Sequence, residues 1–316
     1  MINPREQLVT VFGGDGFVGR YVCEALLKAG VRVRVACREP RLAHFIQPLG
    51  QVGQFGFLKA DITNAMSARI ACEGATAVVN LVGAFRHMTA IHVTGARNVA
   101  EAARASGAEA LVHISAIGAD PDSDSEYGST KGRGELAVRK AFPGATIIRP
   151  SLVFGAEDSL TNRFASMASL LPALPVVAGK RRFQPVYVRD LAQAIAAAAT
   201  DPVSHGGKTY EIGGPQSLSF RDLNEAIIRA AGLDTDVVEL PDIAGSLMSR
   251  FGWLPGAPMT RDQWLMLKHD NVPAAGSQGL EAFGIKPTPL AAVAPDWLAR
   301  YGGSRFARRR VDIAAK

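Results

Sequence analysis

LVTVFGGDGFVGRYV, residues 8–22, decides the fold. Leu8–Phe12 is a short β-branched and aromatic run, the pattern of a buried strand. Residues 17–29 carry apolar side chains at helical spacing and stop at Gly30, so a helix follows the strand at once. Gly13, Gly16 and Gly19, spaced GxxGxxG, lie directly after the strand and at the start of the helix. The first glycine permits a tight turn, the second lets backbone approach a pyrophosphate, and the third lets helix and strand pack closely. The helix N-terminus, through Phe17, Val18 and Arg20, then offers unpaired N–H groups to phosphates. A glycine turn of purely structural use is the alternative. Its place between a strand and an amphipathic helix favours a dinucleotide site.

Outward from that unit the alternation continues. Strands are expected at 31–37, 54–60, 76–83, 110–115 and 145–150, with a long helix over 91–105. This order predicts an α/β fold with a doubly wound parallel sheet. After Pro150 the alternation gives way to prolines and short elements. Helical patterns remain at 188–199, 219–231, 260–268 and 287–300, and the run at 208–214 is expected to return a strand to the sheet. The division expected is 1–155 for the nucleotide domain and 156–316 for a smaller, mostly helical lobe.

The bulk numbers bound the rest. Hydrophobic residues make up 47% and charged residues 20% of 316, which excludes a disordered chain or a fibre. No apolar run is long enough to span a bilayer, and no secretory signal pattern opens the chain. Cys23, Cys37 and Cys72 have no metal-ligand spacing and read as small buried residues in a reducing compartment, and the six histidines form no cluster, so no metal is expected. The net charge of +6 is partly gathered in the basic run 304–316. That run reads either as a solvated tail or as a contact to anionic lipid headgroups or protein. Aromatic and basic residues are not interleaved, so no nucleic acid is expected.

An NAD site usually has an acid at the end of the second strand. Here the strand ends in VACREP, with Arg38 in that place and Arg20 as a second cation. A guanidinium suits a 2′-phosphate, so NADPH (NADP) is the expected cofactor. Asp61 and Ile62 end the third strand, where the adenine would lie, and Leu81, Val82 and Gly83 pass over the middle of the nucleotide.

EYGSTKGRGE, residues 126–135, holds Tyr127 and Lys131 four positions apart. With the glycine motif, Asp61, the run RPSLVFG (149–155) and QPVYVRDLAQAI (184–195), this pair resembles the short-chain dehydrogenase/reductase superfamily, in its extended and atypical Rossmann branches. The resemblance implies that Tyr127 would be a general acid/base, with Lys131 lowering its pKa and holding the nicotinamide ribose. It adds Ser115, Pro150, Leu152 and Val153 to the cofactor contacts. The sequence departs from that pattern after the fifth strand. The substrate-orienting hydroxyl would fall at Ala116, Ile117 or Gly118, and none has one. The loop to Tyr127 is short, and His92 stands where the extended branch often has Asn.

The segment PGAPMTRDQWLMLKHDNVP (255–273), with PTPLAAVAPDWLARY (287–301), is similar to the NADPH-binding accessory subunits of respiratory complex I, NADH:ubiquinone oxidoreductase, of mitochondria and alphaproteobacteria. This implies a tightly held NADPH off the electron path, with other complex I subunits as partners. The place implied is peripheral, on the cytoplasmic face of a bacterial inner membrane or the matrix side in a mitochondrion. Trp253, Leu254 and Trp264 would then face partners or lipid, or else pack in the core. Tyr127 and Lys131 would be a vestigial pair kept to hold ribose. The alternative is a soluble NADP-dependent reductase, dehydrogenase or epimerase.

Overall fold

The computed structural model describes residues 7–250 and 259–302 of the chain. The elements begin with β1 (Leu8–Phe12), α1 (Phe17–Lys28), β2 (Arg32–Cys37), β3 (Phe55–Lys59), α2 (Ala65–Cys72) and β4 (Ala77–Asn80). Next come α3 (Ala96–Ala105), β5 (Ala110–Ile114), α4 (Glu126–Ala141), β6 (Thr146–Pro150), β7 (Val153–Phe154) and α5 (Ser159–Leu170). They are followed by β8 (Ala173–Val176), β9 (Arg182–Phe183), β10 (Val186–Tyr187), α6 (Val188–Thr200), α7 (Pro202–His205) and β11 (Thr209–Ile212). The last are β12 (Leu218–Ser219), α8 (Phe220–Ala230), β13 (Asp236–Glu239), α9 (Asp242–Arg250), α10 (Arg261–Leu267), α11 (Leu290–Val293) and α12 (Pro295–Leu298).

Two compact units share the chain. The first holds residues up to Pro150, Val188–Ile212 and Ala274–Lys286. Its sheet has seven strands in the order β11-β6-β5-β4-β1-β2-β3, every pair parallel. Helices α2, α3 and α4 pack side by side, and α1 and α6 pack together. Because both faces are covered, β4 and β5 are buried along their whole length, and AVV and ALV read as continuous apolar runs. This is the doubly wound sheet the alternation predicts, and β11 is the strand expected to return to it.

Helix α6, expected in the C-terminal lobe, belongs to this first unit. Its alanine-rich face, with Leu191 and Ile195 fully buried, packs on α1, β4 and β5. The turns after it are tied in too. Arg149 of β6 holds Glu135 of α4 through two bonds of 2.8 and 2.7 Å and reaches Glu211 of β11 at 3.2 Å. Glu211 in turn accepts the Ala274 N–H at 2.7 Å. A sheet edge, a helix and a distant segment therefore meet on one guanidinium.

The second unit comprises Ser151–Tyr187, Gly213–Pro273 and the chain from Pro287 onward. It contains three two-stranded ladders, β7 with β10, β8 with β13 and β9 with β12. Its core gathers Phe154, Leu174, Leu223, Ile227 and Leu298. The segment 260–272 has a structural explanation. Thr260 and Gln263 form a capping box at the start of α10. Asn271 accepts the Ser151 hydroxyl at 2.7 Å and the Leu152 N–H at 3.0 Å, pinning its segment to the run after β6.

Trp264 is a core residue, 6% exposed and laid against Gly245, where a Cβ would come within 2.3 Å of the ring. That settles the choice between core and partner surface for Trp264. Trp253, Leu254 and the basic run 304–316 lie outside the described residues. The single helix expected over 287–300 is instead α11, α12 and a terminal 3-10 turn, because Pro289 and Pro295 each start a new short element.

Candidate dinucleotide site

The β1–α1 turn is shaped by its glycines. Gly13 has φ of 77°, and its N–H reaches the Ala36 carbonyl at 3.1 Å. A Cβ at Gly19 would stand 2.1 Å from the Gly13 oxygen and 2.6 Å from Gly14 Cα, so only glycine lets α1 come this close. At Gly16 the nearest atom to such a Cβ is the Gly13 oxygen at 3.3 Å. The space beyond Gly16 is open, as a pyrophosphate requires. Gly16 is also the N-cap of α1 and caps it with no side chain, which leaves its first N–H groups for a ligand. Phe17 and Val18 carry those groups, and Phe17 packs edge-on against Tyr21.

At the expected adenosine end, Arg38 is exposed directly after β2. Arg20 lays its guanidinium 4.2 Å over the Phe45 ring, on a 3-10 segment, Pro40–Leu49, that sequence patterning does not reveal. Asp61 takes the Thr63 hydroxyl and N–H at 2.7 and 2.9 Å, which, with Arg38 nearby, holds its carboxyl below its usual range. Ile62 is buried under Gly95, and its carbonyl accepts Asn98. Val82 packs on Gly13, its N–H held by Asn80 at 3.2 Å, while Leu81 donates its N–H to Phe12.

The Tyr–Lys pair sits at the start of α4, capped by Ser125. Lys131 is 4% exposed, and its Nζ donates to the Ile114 carbonyl at 3.0 Å. Burial lowers its pKa to about 8 against the opposing pull of Glu135. A Cβ on Gly83 would come 3.4 Å from that Nζ, so Gly83 keeps the path along the lysine open. Tyr127 goes the other way. Burial pushes its phenol up to about 12, so it is a hydrogen-bond donor at neutral pH. The Lys131 Nζ lies 5.8 Å from its ring centre. The lowering by the lysine that the motif implies is not seen here, and desolvation alone accounts for the shift.

Phe85 and His113, which patterning does not assign to the site, join His92 around this pair. Phe85 stacks on Tyr127 with ring centres 4.9 Å apart. His92, on a π-helical turn (Thr89–Gly95), meets the same ring edge-on at 5.4 Å. Its Nε2 accepts the Ala84 N–H at 3.1 Å, so Nδ1 carries the proton toward Thr130 at 2.9 Å. Thr130 passes its own hydrogen to the Glu126 carbonyl at 2.7 Å. His113 of β5 accepts Asn80 Nδ2 at 3.2 Å. Burial first, then Lys131, pushes both histidines down to about 3, so both are neutral. A polar residue inside the apolar runs AVVN and ALVHI was the signal for Asn80 and His113.

Ser115, at the end of β5, is 3% exposed, and its Oγ has no partner among the described residues. An orphaned buried hydroxyl beside Lys131's anchoring strand, a cradle at Gly16 and an open path at Gly83 fit a nicotinamide dinucleotide. Gly13, Gly16, Gly19, Leu81–Gly83, Ser115, Tyr127 and Lys131 all belong to the first unit. Pro150 ends β6 and accepts the Ile117 N–H. Leu152 and Val153 belong to the second unit, where Leu152 packs in the core. Among the described residues no cluster could hold a metal, and no helix is long and apolar enough to cross a membrane.

A parallel sheet with a glycine cradle at β1 and a Tyr–Lys pair after β5 defines a dinucleotide-binding protein. The chain belongs to the NAD dependent epimerase/dehydratase family, whose profile matches residues 9–213. Its relatives are more particular than that. It is 32% identical over 316 residues to the mouse NADH dehydrogenase (ubiquinone) 1 alpha subcomplex subunit 9, mitochondrial, covering 96% of this chain and 83% of that protein. It is 28% identical to the Neurospora crassa NADH-ubiquinone oxidoreductase 40 kDa subunit, covering 94% and 80%. Among solved structures it shares its fold with the NADPH-dependent quinone oxidoreductase QOR2 of Escherichia coli, crystallised with NADPH. The TM-score there is 0.73 at 20% identity, over 91% of this chain and 99% of that one.

Proposed function

We propose that this chain is a non-catalytic, NADPH-holding accessory subunit of respiratory complex I, bound peripherally where the enzyme meets the membrane. The observation that carries the reading is the end-to-end similarity to complex I subunits, which runs through the second unit as well as the nucleotide fold. The site supports it. The glycine cradle and the buried Lys131 suit a held dinucleotide, and the substrate end beside Tyr127 is poorer in groups that would orient a substrate. Residues 116–118 offer no hydroxyl, Phe85 covers one face of Tyr127, and burial pushes its phenol up. Tyr127 and Lys131 then serve as ribose donors, and Arg38 with Arg20 favours the 2′-phosphate of NADPH. The partners are other complex I subunits, on the cytoplasmic face in a bacterium. The basic run 304–316 adds anionic headgroup contact.

The test is a native gel of detergent-solubilised membranes, probed for this chain beside an in-gel NADH dehydrogenase stain. Co-migration with the large NADH-oxidising band is expected. In that complex, Lys131→Ala should release NADPH, while Tyr127→Phe should leave quinone reduction within about twofold of the parent. Recovery of the chain solely as a small free species would overturn the subunit role.

A further inference from the structure

The second unit carries a basic, amphiphilic groove that the nucleotide reading does not use. Residues of α9 and α10 line an open groove of about 750 Å³, within the range of ligand sites. Arg250, Arg261 and Lys268 line it, against a single carboxylate, Asp262. None of the three cations forms an ion pair with a described carboxylate. The floor is the buried Trp264.

Helical geometry puts an apolar strip against this basic wall. At about 100° per residue, with Ile243 as origin, Arg250 lies at about −20° and Leu247 at about 40°. Gly245, at about 200°, is the face seated on Trp264. Arg250, which lines the groove, therefore borders Ile243 and Leu247, which are 78% and 58% exposed. Two large aliphatic side chains in water beside three cations that share one lining carboxylate match a ligand with an anionic head and a hydrocarbon tail.

We propose that the α9–α10 groove binds an anionic phospholipid, its phosphate among Arg250, Arg261 and Lys268 and an acyl chain along Ile243 and Leu247. A bare phosphate would use the cations and leave the aliphatic strip without a role, so the lipid is the source the groove favours. The proposal stands apart from the nucleotide site and from the basic run 304–316, which the variants below leave unchanged.

The experiment is flotation of the full chain with vesicles of phosphatidylcholine alone or mixed with phosphatidylglycerol. Binding to the anionic vesicles is expected. The triple variant Arg250→Gln/Arg261→Gln/Lys268→Gln should bind about a hundredfold more weakly, at about fivefold per cation. A control that removes the same charge elsewhere, Arg69→Gln/Arg97→Gln/Lys140→Gln, should lose less than about threefold. Ile243→Ser/Leu247→Ser should also weaken binding, while millimolar inorganic phosphate should not displace the chain. Should the triple variant fail to fold, Lys268→Glu at the exposed rim carries the same comparison. Equal losses in the triple variant and its control would mean diffuse charge and overturn the site. Displacement by inorganic phosphate, or binding to an acidic protein in place of the vesicles, would overturn the lipid.

Discussion

Acidification should destabilise this chain through two histidines that the fold keeps neutral. His92 and His113 are each 2% exposed, and burial together with the nearby Lys131 ammonium pushes both down to about 3. In the unfolded chain each titrates near its ordinary value of about 6.5. Below that pH the unfolded state takes up protons that the folded state refuses. The contribution to stability is thus complete above about pH 6.5 and is lost as pH falls toward 3. Between pH 7 and pH 5 each histidine costs about 2 kcal/mol, at about 1.4 kcal/mol per pH unit below 6.5, and the pair about 4 kcal/mol.

The hydrogen bonds explain why neither ring relaxes into its charged form. His92 Nε2 already accepts the Ala84 N–H, and His113 Nδ1 already accepts Asn80. A proton at either nitrogen would face a donor. Urea unfolding at pH 7 and pH 5, followed by circular dichroism, measures the effect in the parent and in His92→Gln/His113→Gln. Carboxylate titration is common to both and cancels. The parent should lose about 4 kcal/mol more than the variant over that interval. Equal losses in the two proteins would refute the argument that these rings are held neutral.

Three further outcomes follow from the cradle and the cation beside it. Gly19→Ala forces a methyl against the Gly13 and Gly14 backbone, so it should lower unfolding stability by about 1–3 kcal/mol. Gly16→Ala meets only the Gly13 oxygen at 3.3 Å and should fold nearly as well as the parent while losing NADPH, as a thermal shift with and without nucleotide would read. If Arg38 holds the 2′-phosphate as proposed, Arg38→Leu should cut NADPH affinity at least tenfold and leave affinity for NADH, which lacks that phosphate, nearly unchanged in equilibrium fluorescence titration.

Much of the sheet was legible because its causes are local. A strand covered on both faces must be apolar throughout, so AVV and ALV announce themselves, and the glycine turn needs no distant partner to be recognised. Where patterning failed, another force took over. The 3-10 segment at 40–49 carries Pro48 inside it. Prolines also broke the helix expected over 287–300. Helix α6 looked like part of a C-terminal lobe because sequence position says nothing about which sheet face lacks a cover.

The sequence by itself determined a doubly wound nucleotide fold, through the alternation up to Pro150, and the glycine cradle and the Tyr–Lys pair, each written in a contiguous stretch of fewer than about twenty residues. The tertiary structure decided what that pair is able to do. His92 and Thr130 meet across 38 positions, and Asn80 and His113 across 33. Phe85 reaches Tyr127 from the loop after a different strand. Burial depends on everything packed around a group rather than on its neighbours in the chain. That is why the phenol at Tyr127 is pushed up to about 12, where the motif alone would have it lowered by the lysine one turn away.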